Sequence, residues 1–339
     1  MKGWKVHLIA LGLAGVFASS ARCELHWETT RLTNTTWRER APKLYGNQVY
    51  YNDFRNGAAD IYRLTIGGGG AVPVIQSPGT QSVEAIYEDR ILYRSYTQEA
   101  EGYADLYLLD PALGATAVTT APGEQKNADM DGDLVVYESY ETGVPQVWAW
   151  DPVNGNRPLD PTGKPQDGPR VYGGRVVWTD GRNYSPYNER TDVYSWTAEE
   201  GVTRLSTAYF SAGGPDIFGD RVLMTVYDTI YPDPEGTWEW REGQGLTPFL
   251  PGVDGPMMRT WGDLIAWGGA YTTAYHPSLG VTTLNSSQVL SLDVYSNSVV
   301  WADYNYDIWM AQLVPEPSAI LSLASFAGLL ACLRRRRGK

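Results

Sequence analysis

One pattern recurs seven times along this chain, and it constrains the fold more than any other feature. GNQVYYNDFRNGAADIY at 46–62 returns as EDRILYRSYTQEAEGYADLY at 88–107 and GDLVVYESYETGVPQVW at 132–148. It returns again as GGRVVWTDGRNYSPYNERTDVY at 173–194, GDRVLMTVYDTIYPDPEGTWEW at 219–240, GDLIAWGGAYTTAY at 262–275 and SNSVVWADYNYDIW at 296–309. The first apolar residue of each core is Val49, Ile91, Val135, Val176, Val222, Ile265 and Val299. Within each unit, short apolar and aromatic runs alternate with Gly, Asp and Asn turns, which is the chemistry of strands and tight connections. Four short strands in about 40 residues is the period of a propeller blade. A stacked β-solenoid is the alternative architecture. In the fourth unit the strands are expected at 170–172, 175–179, 192–196 and 202–205.

The last unit stops after its third strand, at Asp307-Ile308-Trp309. The segment TTRLTNTTWRERAPKLYGN at 29–47 matches VTRLSTAYFSAGGPDIFGD at 202–220, with Leu32 and Leu205 each ten residues before a proline. It can therefore supply the missing outer strand of the last blade, removing a sheet edge that would invite pairing with another chain. The fold expected is an all-β, seven-bladed β-propeller closed by its N-terminal strand. The units built on Asp53-Phe54-Arg55-Asn56-Gly57 and Asp60-Ile61-Tyr62 resemble the repeats of TolB-like exported propellers. The resemblance spans nearly the whole body, although the fifth and sixth units keep little of the motif.

Both ends carry a different chemistry. Lys2 and Lys5 precede an apolar run and then Ser19-Ser20-Ala21, the plan of a signal peptide spanning 1–21. At the other end an uncharged run, 319–333, is followed by Arg334, Arg335, Arg336 and Arg337. Such a run predicts a C-terminal transmembrane helix with its basic end in the cytoplasm. Together with Pro315, Glu316 and Pro317, this tail resembles the PEP-CTERM sorting signal. That resemblance implies an exosortase-like processing partner, inner-membrane anchoring in transit and delivery to the cell surface or beyond. The expected division is thus 1–21, a propeller at 22–313 and a sorting tail at 314–339.

The net charge is −12, and about −18 for 22–313 alone, which argues against nucleic acid as a partner. Of two cysteines only Cys23 lies in the body, so no internal disulfide is available there. Two body histidines, His26 and His276, are too few for a histidine zinc site.

Aligning the inner strands places Lys43, Ala85, Asp129, Arg170, Asp216, Arg259 and Asp293 at one equivalent position beside the channel. The charged six are candidates for a binding mouth, or for a ring of ion pairs between blades. Two residues on come Tyr45, Tyr87, Asp131, Tyr172, Phe218, Trp261 and Tyr295, expected to pack blade against blade. Asp53, Glu138, Asp180 and Asp303 follow the second strand on the expected ligand-binding loop face and are the acids to inspect for glycoside hydrolysis. Asp60, Asp105, Asp192 and Asp307 are expected to cap turns. Asp129-Met130-Asp131-Gly132-Asp133 offers oxygen donors for a structural calcium; no other cofactor is expected. No nucleophile elbow or phosphate loop occurs. The balance favours a non-catalytic binding or structural module for surface polysaccharide or an extracellular protein. The alternative is a polysaccharide-active hydrolase or lyase working at the channel mouth.

Overall fold

A computed structural model describes residues 24–96, 103–183, 190–207, 210–227, 235–255 and 257–316. The chain divides into a large unit, Trp27–Leu313, and a small one made of its two ends. Among the described residues twenty-eight strands form seven four-stranded antiparallel sheets, each blade running outward from an inner strand. The inner strands are Glu39–Tyr45, Gln81–Tyr87, Gln125–Asp131, Gln166–Tyr172, Ser211–Phe218, Met257–Trp261 and Val289–Tyr295. The fourth blade's strands, Gln166–Tyr172, Arg175–Asp180, Asp192–Thr197 and Gly201–Arg204, extend or trim the sequence expectation by a few residues.

The seventh sheet has the order Leu25–Arg31, Ile308–Pro315, Ser298–Asp303, Val289–Tyr295, so the N-terminal strand closes the ring. The closure copies an ordinary blade. The Leu32 and Thr33 amides donate to the Ile308 carbonyl as Leu205 and Ser206 donate to Val193.

All seven anchor residues are buried, as are the bulky side chains two positions on, including Trp178, Trp267 and Trp301. They pack between blades. Leu44, Val49 and Tyr51 of the first blade meet Val300, Ile308 and Met310 of the seventh, and Val177 and Val193 of the fourth meet Ala212, Val222 and Met224 of the fifth. Removing such a side chain from water is worth about 2–3 kcal/mol, so each interface is held chiefly by these residues.

The DxRNG…DIY repeat is a loop latch. The Arg55 amide, Nε and guanidinium Nη2 donate to the Asp53 carboxylate, and the Arg55 guanidinium lies 4.1 Å from the centre of the Tyr62 ring. Arg182 repeats this with Asp180 and lies 3.9 Å from the Tyr194 ring. Asn56 donates to Asp60 and Asn183 to Asp192, tying the strand-three acid into the same loop.

The ends depart from expectation. Among the described residues there is no helix, and none is long and apolar enough to cross a membrane. The expected C-terminal transmembrane helix, and the inner-membrane anchoring and exosortase encounter that follow from it, find no counterpart among the described residues, and the run 319–333 itself lies outside them. The uncharged run 319–333 would rise only about 22 Å as a helix, against a hydrocarbon core of about 30 Å. Pro315 ends the strand Ile308–Pro315, and the Glu316 amide donates to the Glu24 carbonyl. The signal segment 1–21, Pro317 and Arg334 to Arg337 lie outside the described residues.

Candidate functional site

Pairing register places the seven channel positions on one level. Lys43, Ala85, Asp129, Arg170, Asp216, Arg259 and Asp293 each pair with the residue following the blade's buried anchor. A bulge earlier in six of the seven inner strands precedes this level. In blades one, three, four and five the bulged residue is left-handed: Ala41, Asn127, Gly168 and Gly214.

The level lines a cavity of about 430 Å³ at the end of the channel where the strand-one-to-two hairpins turn. Above it the aromatic set forms a collar. Tyr172–Phe218, Phe218–Trp261, Trp261–Tyr295 and Tyr295–Tyr45 have ring centres 4.3–4.8 Å apart, and Tyr45–Tyr87 6.5 Å. Asp131 breaks the collar and accepts the Gly173 amide at 2.7 Å.

Acid and base alternate by rule within this cavity. Asp129 accepts the Val171 amide at 3.0 Å, Asp216 the Thr260 amide at 2.6 Å and Asp293 the Leu44 amide at 2.9 Å. Each acid thus staples its blade to the next, at the residue directly after Arg170, Arg259 or Lys43. Arg170 Nε lies 3.7 Å from Asp216. The second blade has Ala85 at the level, and Glu84 beside it does the stapling: it accepts the Ala128 amide and pairs with Arg94. Glu84 was not among the sequence candidates, because the alignment selected one position and the bulge moves the acid one residue earlier.

Burial sets the electrostatics. It pushes the Asp216 carboxyl up to about 6, against the pull of Arg259 and Arg170. It pushes the Asp293 carboxyl up as well, with Lys43 opposing. Burial pulls the Lys43 ammonium down despite Asp293, and Arg259 and Arg170 add to the fall. Arg259 is lowered by burial and by Arg170. The cavity therefore holds a lysine that gives up its proton more readily than usual and an acid that keeps its proton more firmly than usual, a combination suited to proton transfer.

The loop-face acids are not brought into the cavity. Asp53, Asp180 and Asp303 occupy equivalent positions at the opposite end of the second strand, pairing with the start of the inner strand at Glu39, Gln166 and Val289. Asp53 and Asp180 are latched to arginine; Asp303 takes the Asn305 and Asp307 amides and the Trp309 indole. Glu138 is one residue out of step with them. It holds Asn127 Nδ2 and the Gly168 amide, each at 2.7 Å, an interblade staple that Asn52 makes to Val83 and Thr179 to Gly214. Burial pushes the Glu138 carboxyl up.

The calcium candidate does not assemble either. Asp129 and Asp131 face the fourth blade, while Asp133 pairs with Arg90 at 2.7 Å. Among the described residues no group of three or more His, Cys, Asp or Glu is placed to hold a metal ion.

No protein-family model matches this chain, and no curated protein matches it by sequence. Solved structures do. Oligogalacturonate lyase from Vibrio parahaemolyticus is similar with a TM-score of 0.61 at 12% identity, over 86% of this chain and 98% of that one. A structure of oligogalacturonate lyase in complex with manganese gives 0.60 at 12% identity over 86% and 97%. The β-propeller domain of the trilobed protease from Pyrococcus furiosus, described as having an open velcro topology, gives 0.59 at 11% over 79% and 91%. A puromycin-hydrolyzing peptidase from Mycobacterium tuberculosis gives 0.58 at 17% over 78% of this chain and 48% of that one. At these identities the likeness establishes the fold: a seven-bladed β-propeller of the kind the TolB-like resemblance implied. Propellers of this fold occur in a lyase and in peptidases, so the fold gives no ground for the expectation of a non-catalytic module that is more likely not an enzyme. The absence of a nucleophile elbow was a poor ground for it, since proton-transfer chemistry needs none. Manganese does not fit here, because the cavity acids alternate with Arg170, Arg259 and Lys43 rather than clustering, and among the described residues no group of three or more His, Cys, Asp or Glu is placed to hold a metal ion.

Proposed function

We propose that the chain is a polysaccharide lyase whose active site is the hairpin-end cavity, acting on short uronate-containing oligosaccharides. The observation that carries this is the convergence of Lys43, Arg170 and Arg259 in one cavity with Asp216 between the two arginines. A uronate carboxylate suits the two guanidinium groups, which bind such anions by paired hydrogen bonds. Lys43, in its deprotonated form, then takes the proton from the carbon beside that carboxylate. The released electron pair forms the C4–C5 double bond as the C4–O bond breaks, and the departing oxygen takes a proton from Asp216. The arginines stabilise the enolate-like charge that builds on the carboxylate. The collar offers apolar faces to the sugar. The acidic body argues against long anionic polymers but not against an oligomer held inside a cationic pocket. The similarity to oligogalacturonate lyase supports the substrate class. The Pro-Glu-Pro and arginine pattern supports the PEP-CTERM resemblance as part of this reading.

The test is incubation of the full chain with oligogalacturonates and alginate oligomers, reading unsaturated uronate by ultraviolet absorbance and mass. Unsaturated products, lost in Lys43→Met, are expected. Saturated products would replace elimination with hydrolysis, and an inert protein would end the proposal.

A further inference from the structure

Charge is layered along the hairpin end of the channel. The cavity level carries three cations, Lys43, Arg170 and Arg259. Two residues further along each inner strand, about 7 Å on, the collar carries none, and its one charged member is Asp131. Beyond the collar each inner strand turns through a two-residue tip, and none of the seven tips holds a lysine or arginine. Glu88, Asp89, Asp133, Asp220 and Asp263 stand there instead.

The arginines that open the second strands leave this layering intact. Arg90 pairs with Asp133 and donates to the Gly132 carbonyl, and Arg175 pairs with Glu200 and Glu242. Arg221 donates to Thr260 Oγ1 and to the Gly262 carbonyl. Asp220 is matched by Arg241, so Glu88, Asp89 and Asp263 remain as exposed carboxylates at the rim. Asp131 faces inward. Burial pushes its carboxyl up, the Gly173 amide opposes, and Asp129 adds to the rise; no cation offsets it.

A sugar chain reaching out of the cavity therefore meets a different surface at each step. The ring whose carboxylate lies at Arg170 and Arg259 is matched by charge. Its neighbour at the collar meets the aromatic faces of Tyr172, Phe218, Trp261 and Tyr295, with the acceptor-only carboxylate of Asp131 in the gap. Sugar hydroxyls satisfy both features. A second uronate carboxylate at the collar finds no cation and is repelled by Asp131.

Resting on the reading of this cavity as a lyase site, we propose that its preferred substrate is an alternating oligosaccharide, a uronate bonded to an uncharged sugar, and that Asp131 sets the preference. The uronate occupies the cavity and the uncharged ring occupies the collar. Oligogalacturonates are slower substrates, because every neighbour of a bound uronate is itself charged.

The experiment gives the full chain two tetrasaccharides, one of galacturonate alone and one of galacturonate alternating with rhamnose, and reads kcat/KM from the absorbance of unsaturated product. The alternating substrate should be favoured about tenfold, the scale of one like-charge contact near a protein surface. Asp131→Asn should bring the two values to within about twofold of each other. Loss of the Gly173 contact alone would lower both together and leave their ratio unmoved. Asp133→Asn removes the same charge from the side chain already paired with Arg90 and should shift the ratio less than twofold. Equal values in the parent, or a preference that survives Asp131→Asn, would overturn the proposal. If neither tetrasaccharide yields unsaturated product, the lyase reading fails, and calorimetric titration of both into the parent decides the preference by itself. Binding of the alternating one about tenfold more tightly would uphold it; equal or undetectable binding would end it.

Discussion

The two ends of the channel are built from the same repeat and spend their charges differently. At the loop end Asp53 and Asp180 are fully buried, and each is clasped by an arginine from its own loop that in turn stacks on a tyrosine. Every element of that arrangement closes on itself. At the hairpin end the acids are used by backbone amides of the next blade, which leaves Lys43, Arg170 and Arg259 facing a cavity. Buried charge is therefore no guide to function by itself. What separates the ends is whether the cation is consumed by its acid or left over after a backbone donor has taken the cation's place on that acid.

Substitutions at the two ends should separate activity from stability. Lys43→Met should lower the rate of unsaturated-product formation about 10²- to 10⁴-fold, the share of a positioned base, while shifting the urea midpoint little. Asp180→Ala should do the reverse. It leaves Arg182 and the Trp178 indole without their buried acceptor, at a cost of about 3 kcal/mol, with kcat unchanged where the protein remains folded. If both variants lost activity and stability in proportion, the division of labour between the ends would fail.

Next in size is a pH effect at the ring closure. Glu39 opens the first inner strand, is fully buried, and accepts the Thr35 hydroxyl; burial pushes its carboxyl up to about 7, with Asp53 and Asp307 adding to the rise. The folded state therefore holds a proton that the unfolded state has already released, so stability falls as pH rises from about 4.5 to about 7 and is flat above. The size is about 3 kcal/mol. Glu39→Gln should erase that component, so the difference in urea midpoint between variant and parent should widen from pH 4.5 to pH 7. A constant difference would place the Glu39 carboxylate, already ionised, in the folded state at low pH.

The blade count, the closing strand and the level of the cavity residues were legible because each rests on the repeat. The anchors Val49 to Val299 fix the register of the second strand, and antiparallel pairing carries that register to the inner strand. Which end of the channel holds the cavity was not legible, because periodicity is blind to where side chains leave open space. Glu138 was grouped with Asp53, Asp180 and Asp303 by proximity to the strand end, yet a one-residue offset in a strand turns the side chain to the other face. Glu84 escaped because a bulge displaces its acid from the aligned column. The stapling of Asp129, Asp216 and Asp293 to the next blade's amides involves residues about 42 or more positions apart, which no local pattern announces.

The smallest effect tests the bulge that sets the cavity level. Ala41, Gly168 and Gly214 hold φ values of 51°, 61° and 58° and precede Pro42, Pro169 and Pro215. Glycine adopts that conformation freely, whereas alanine pays about 1 kcal/mol in steric strain. The Ala41 amide, donated to Ser291 Oγ at 3.0 Å, would survive substitution. Ala41→Gly should therefore stabilise the first blade by something under 1 kcal/mol once glycine's greater unfolded-state freedom is counted, and Gly168→Ala should destabilise the fourth by a similar amount. Opposite shifts in urea midpoint, with Lys43-dependent activity intact in both, would show that the bulge is the same device in the two blades. Shifts of the same sign would mean that the first blade has adapted to its alanine and that the cavity level there is set by the Ser291 and Asp293 staples instead.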